Sequence, residues 1–146
     1  MFTSEMLHTC LHDAEPDHDL YHFVERFIQI LDLETESIRN YPLYFLVQFS
    51  KYLGFYPKGN YLDNAVFDLT EGSFIPSASA TPLCLNAETS LYLDTLIKTA
   101  LRDITALRIP NSIRRQLIDD MLRYYDIQLL HGRPVKSHVI LREVLD

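Results

Sequence analysis

A chain of 146 residues, 47% hydrophobic and with only four glycines, has the length for one domain around a single core and too little glycine for a turn-rich all-β or collagen-like fold. Its net charge of −7 works against binding to a phosphate backbone, and its two cysteines, Cys10 and Cys84, stand apart, with no CxxC pair to hold zinc or frame disulfides. No stretch reaches the roughly 18–20 apolar residues of a membrane span, and none near the N-terminus has the apolar run of a signal peptide, so a cytoplasmic helical protein is expected.

Ser4 can cap a helix through about His12, with Met6, Leu7, Cys10 and Leu11 on one face, stopped by the acidic stretch from Asp13 to Asp17. Asp17 or Asp19 then opens a second helix, whose Leu20, Phe23, Val24, Phe27, Ile28 and Leu31 follow helical spacing without a gap. In YPLYFLVQFSKYLGFYP, residues 41–57, Pro42 suits a first turn, Gly54 and Pro57 supply the stop, and the apolar residues run nearly all round, which predicts a central helix. AVFDLTEGSFI, residues 65–75, reads as a hairpin turning at Thr70 to Ser73, followed by a loop over 76–86.

Asn86 or Thr89 can open a helix through about Arg102, with Leu93, Leu96, Ile97, Ala100 and Leu101 facing inward. After the Ile109-Pro110 breaker, Asn111 is the expected cap of a helix with Ile113, Leu117, Ile118, Met121, Leu122 and Tyr125 on one stripe. Gly132 and Pro134 break the chain again, and Ser137 can cap a last helix over 138–145. The sum is a mostly α fold, a single domain over 1–146: a bundle of about five or six helices with one small inserted β-hairpin or ribbon.

His8, His12, His18 and His22 form two i, i+4 pairs with acids between them, a spacing that can put two imidazoles on one metal. Both pairs also sit opposite their apolar stripes, where polar side chains meet water. No nucleophile elbow or phosphate-cradling glycine loop is present, and adjacent Asp119 and Asp120 point apart on a helix, so an enzyme reading finds no residues to carry it. Two compositional features remain. Seven aromatics crowd residues 41–56, more than one helix should bury, and nine of the thirteen basic residues fall after residue 97.

The order of these features is that of a known family. FTSEMLHTCLHDAEPDHDLYHFVERFIQILD, residues 2–32, resembles the first helix pair of the C-terminal domain of the RecO family of bacterial DNA repair and recombination mediators. YPLYFLVQFSKYLGFYP is similar to that family's "LLxxLGYxP" helix, AVFDLTEGSFI to its "FDxxxGxF" ribbon, and MLRYYDIQLLHGRPVKSHVILREVL to its closing "LLxYYxxHL…KS…VL" segment, in a pattern typical of Bacteroides-like sequences.

The resemblance implies a helical domain with a ribbon insertion at about 55–85 and a non-catalytic role in the RecF/RecO/RecR pathway. In that pathway RecO proteins bind RecR, DNA and the acidic, Phe-ended C-terminal tail of the single-stranded-DNA-binding protein, anneal strands and assist RecA loading. The family's N-terminal OB-fold domain, which carries much of the RecR and DNA binding, has no counterpart in these residues, so activities that need it are expected to be missing. DNA binding by the rest is expected to be weak because the net charge is −7 and the basic last third can neutralise only a few phosphates. Some relatives hold zinc with four cysteines around the ribbon; here residues 55–85 contain only Cys84, and neither zinc nor another cofactor is expected.

Tail docking would fall to Arg39, Phe45, Phe49, Lys51 and Tyr52 on the central helix and to Arg133, Lys136 and Arg142, with Lys136-Ser137 matching the "KS". Weak DNA binding would fall to Arg108, Arg114, Arg115 and Arg123. The alternatives are a metal-dependent enzyme built on the four histidines, or a structural module without a partner of its own.

Overall fold

The computed structural model describes residues 18–33 and 38–130, in which four α-helices share one core with a two-stranded antiparallel ribbon. Helix α1 (His18–Leu33) lays Leu20 and Phe27 into that core and packs Phe23, Val24, Ile30 and Leu31 at its edge. Ile28 departs from the expected stripe and is 44% exposed. Eight residues after Leu20 it has rotated about 80° round the helix, to the rim of the buried face.

Helix α2 (Tyr41–Leu53) is central, as its all-round apolar sequence requires, with Leu43, Phe45, Leu46, Val47 and Phe49 wholly buried. Pro42 lies in its first turn. Gly54 ends it in the left-handed region at φ 92°, which lets the Phe55 N–H return to Ser50 O at 3.0 Å.

The ribbon pairs β1 (Ala65–Asp68) with β2 (Ser73–Pro76), Ala65 opposite Pro76 and Asp68 opposite Ser73. Its turn is tied by Asp68 Oδ1, which accepts the N–H groups of Thr70 (2.8 Å) and Glu71 (3.2 Å). Both edges meet single strand-like residues. Lys58 accepts from Phe74 N–H (3.1 Å) and donates to Gly72 O (2.9 Å), while Leu69 N–H donates to Leu83 O (3.0 Å) and Leu85 N–H to Phe67 O (2.9 Å). The stretch expected as loop over 76–86 includes a 3-10 turn at Ser77–Ser79.

Helix α3 (Ala87–Lys98) is capped by Asn86, whose Oδ1 accepts the Thr89 N–H at 2.8 Å. It ends short of the expected Arg102 because Thr99 turns extended, at φ −88° and ψ 129°, and Leu101–Ala106 continues as a 3-10 stretch. Ala100, expected to face inward, is therefore exposed. Ser90, fully buried on α3, accepts the Phe67 N–H at 3.0 Å and fastens the helix to β1. Ser90→Ala leaves that buried donor unpaired and is expected to cost about 1–3 kcal/mol in a urea melt.

Helix α4 (Asn111–Tyr125) corrects a capping expectation: Asn111 is its first residue, and Pro110 holds the cap position. Proline has a fixed φ and no N–H to leave unsatisfied, and its carbonyl accepts the Arg114 N–H at 2.9 Å. Leu117, Ile118, Met121, Tyr124 and Tyr125 face the core, with Tyr124 taking the place expected for the half-buried Leu122. A π turn, Asp126–Leu130, follows, and Gln128 Nε2 within it donates to Leu69 O and Thr70 O, each at 3.0 Å. The helices expected over 4–12 and 138–145 lie outside the described residues.

Two tyrosines of α4 bind main chain across the core. Tyr125 Oη donates to Leu46 O at 2.6 Å and Tyr124 Oη to Phe55 O, while the Tyr124 ring meets Phe55 and Phe67 edge-on, both at 5.3 Å. Burial pushes the Tyr124 phenol from 10.0 up to about 12. Stability from this group is whole below the lower value and is lost as pH rises through the upper one. Tyr124→Phe should accordingly flatten the fall in unfolding free energy across that alkaline window.

Candidate interaction cleft

An open cleft of about 690 Å³ lies where the start of α2, the 3-10 stretch and the start of α4 meet. Arg39 and Arg108, both exposed, stand at its wall with the nearly buried Arg114. Apolar surface comes from Tyr92, Leu107, Ile109 and Pro110, and among the described residues no carboxylate lines it. Asn40 joins its two sides: Nδ2 donates to Ile104 O at 3.0 Å and to Leu107 O at 2.7 Å. Arg114 braces the floor by donating to Ile109 O (3.3 Å) and to Asn111 Oδ1.

The chemistry of this arrangement is specific in kind. Guanidiniums donate charge-assisted hydrogen bonds to carboxylates or phosphates, and an adjacent aromatic and aliphatic wall can bury an apolar side chain. Arg114, 4% exposed, offers a ligand little surface and braces the cleft from within.

A family profile described as "Recombination protein O C terminal" matches residues 1–138. The chain belongs to the RecO C-terminal family. Proteins named DNA repair protein RecO are similar to it throughout. That of Flavobacterium psychrophilum is 31% identical over 99% of this chain and 59% of its own length, that of Christiangramia forsetii 29% over the same shares, and that of Porphyromonas gingivalis 28% over 100% and 61%. The chain thus spans about three-fifths of the length of these RecO relatives. No solved structure matches it.

Against the RecO reading of the sequence, the structure redistributes the candidate residues. Phe45 and Phe49 are wholly buried, so neither has surface for a partner. Their rings belong to a run of packed aromatics from Phe27 through Phe45 and Phe49 to Tyr125, with centroids 5.0, 5.1 and 6.3 Å apart. Tyr52 is half-buried and stacks on Phe23 at 4.8 Å. Lys51 is exposed but ten residues beyond Tyr41, about 15 Å along the helix, too far to share a small anionic group with Arg39. Arg133, Lys136 and Arg142 lie outside the described residues.

The residues expected to meet DNA also separate. Arg108 belongs to the cleft, Arg114 is 4% exposed and committed to main-chain and Asn111 contacts, Arg115 is half-buried, and Arg123 is exposed 4.0 Å from Asp120. Arg114 is thus removed from the set that can touch a phosphate. Asp120 is itself buried, which raises its carboxyl above the ordinary range despite the hydrogen bond from Gln116.

His18 and His22 are exposed on α1, and His8 and His12 lie outside the described residues. Among the described residues no group of three or more His, Cys, Asp or Glu is placed to hold a metal ion, and none of the helices is long and apolar enough to cross a membrane. Cys84 is half-buried, its Sγ accepting from Thr81 N–H at 3.4 Å. The sequence reading missed Asn40, Tyr92, Leu107 and Ile109 as cleft residues. The Ile109-Pro110 breaker marked only that the chain turns there.

Proposed function

We propose that this chain is a single, non-catalytic interaction domain of a cytoplasmic RecO-type protein that acts in DNA repair and homologous recombination. Its cleft docks the acidic, Phe-ended tail of the single-stranded-DNA-binding protein. Arg39 and Arg108 take carboxylates, and the wall of Tyr92, Leu107 and Pro110 takes the apolar end. The observation that carries this reading is the joint presence of guanidiniums and an apolar wall in one cleft of a RecO family member. Within the same reading the domain assists strand annealing and RecA loading, meets RecR mainly through the family's OB domain, and touches DNA weakly.

The test is a fluorescence titration of the protein with a labelled acidic peptide ending in phenylalanine. Binding should weaken as salt rises, because partly exposed ion pairs are screened over about 8–10 Å at physiological ionic strength. The absence of salt-sensitive binding up to millimolar peptide would sink the docking reading.

A further inference from the structure

We infer that Asn40 is a positioning residue: it sets the spacing between Arg39 and Arg108, and with it the ability of one ligand to engage both. The inference rests on the docking reading, but its central measurement does not. Asn40 is 5% exposed, and its single amide nitrogen donates to carbonyls 64 and 67 residues further along the chain. Arg39 is its immediate predecessor, and Arg108 immediately follows the second acceptor, Leu107. The two hydrogen bonds therefore join the main-chain segments from which both guanidiniums spring.

The acceptor side is itself braced, since Leu107 N–H donates to Ile104 O at 3.3 Å. Asparagine is chemically suited to the place. Its planar amide offers two N–H groups from one atom, whereas aspartate at neutral pH offers none and serine one. The orientation of the amide is determined as well: reversing it would set Oδ1 against two carbonyl oxygens, and Oδ1 has no hydrogen-bond partner among the described residues. A ligand carrying two anionic groups gains from cations already held at the right span, because ordering them is not charged against binding.

The experiment labels residues 39 and 108 with nitroxides through R39C and R108C, in a C10S/C84S background, and measures their separation by pulsed electron resonance. With Asn40 in place one narrow distance distribution is expected, and Asn40→Ala should broaden it while far-UV circular dichroism is retained. A distribution as narrow in Asn40→Ala as in the parent overturns the inference. Should that variant not fold, Asn40→Gln, which keeps both donors on a side chain one methylene longer, must shift the distance, and an unchanged distance overturns it equally.

Binding of the acidic peptide supplies the readout that a merely structural role would not move. Asn40→Ala should weaken it about tenfold with both arginines present and leave it unchanged in an R39A/R108A background. Equal losses in the two backgrounds would mean that Asn40 acts independently of the arginines, against the inference. If the parent protein binds no peptide, the docking reading fails and the label distances still decide the role of Asn40.

Discussion

Tyr124→Ala is expected to lower the unfolding free energy by about 3–5 kcal/mol, a fifth or more of the roughly 5–15 kcal/mol that holds a typical domain together. Three losses coincide at this residue. The ring is wholly buried, so truncation leaves a cavity between Phe55 and Phe67, which it meets edge-on. The hydroxyl no longer donates to Phe55 O, leaving a carbonyl at the exit of α2 without that partner. The turn of the ribbon loses its backing, since a Cβ on Gly72 would stand 2.7 Å from Tyr124 Oη, so closely does the turn approach. Tyr124→Phe separates these terms: it keeps the ring and should cost only about 1–3 kcal/mol. Urea melts of both variants give the numbers, and an alanine variant within about 1 kcal/mol of the parent would show that the core does not depend on this tyrosine.

Reversing both exposed cations of the cleft, with Arg39→Glu and Arg108→Glu together, is expected to weaken acidic-peptide binding at least about hundredfold. Each charge-assisted hydrogen bond contributes about 1.5–3 kcal/mol, and a factor of ten corresponds to about 1.4 kcal/mol. Replacement by glutamate adds repulsion to the loss. Lys51→Glu is the informative control: at some 15 Å along α2 it lies beyond the screening length at physiological salt and should change affinity by less than about threefold. If Lys51→Glu is as damaging as the double reversal, the partner lies along α2, and the cleft assignment falls.

Where local chemistry decides structure, the sequence was legible. Pro42 and Gly54 bracket α2, the Asp68 to Ser73 stretch turns the ribbon, and Asn86 caps α3, each through a group acting on its own neighbours. Expectations failed where two local rules competed. Asn111 is a good cap, but Pro110 beside it takes the cap position and frees the Asn111 side chain to hold Arg114. The continuation of α3 to Arg102 had periodicity in its favour and lost to the extended backbone at Thr99.

The site was less legible than the fold, and for a different reason. The aromatics of α2 outnumber what one helix buries by itself, yet α1 contributes Phe23 and Phe27 and α4 contributes Tyr124 and Tyr125 to the same packing, so the core absorbs Phe45 and Phe49 completely. Arg39 belongs by sequence to the central helix and Arg108 to the basic C-terminal third, so the expectations give them different partners; the fold lines one cleft with both, where Asn40 bridges to the 3-10 stretch. Arg114 stands three, four and seven residues before Leu117, Ile118 and Met121, on the buried face of α4, whereas Arg108 precedes the helix and stays exposed; grouping the two by charge alone hid that difference.

A two-stranded ribbon is marginal alone and presents edges on which another extended chain could grow. In this molecule the Phe74 N–H is taken by Lys58, the Leu69 N–H by Leu83 and the Phe67 carbonyl by Leu85, so the groups that would zip an added strand into register are already spoken for from both sides. Recruitment by strand addition is thereby closed at those positions. At those positions the ribbon gives neither a partner nor a second copy an open edge to extend, so recognition there falls to side chains.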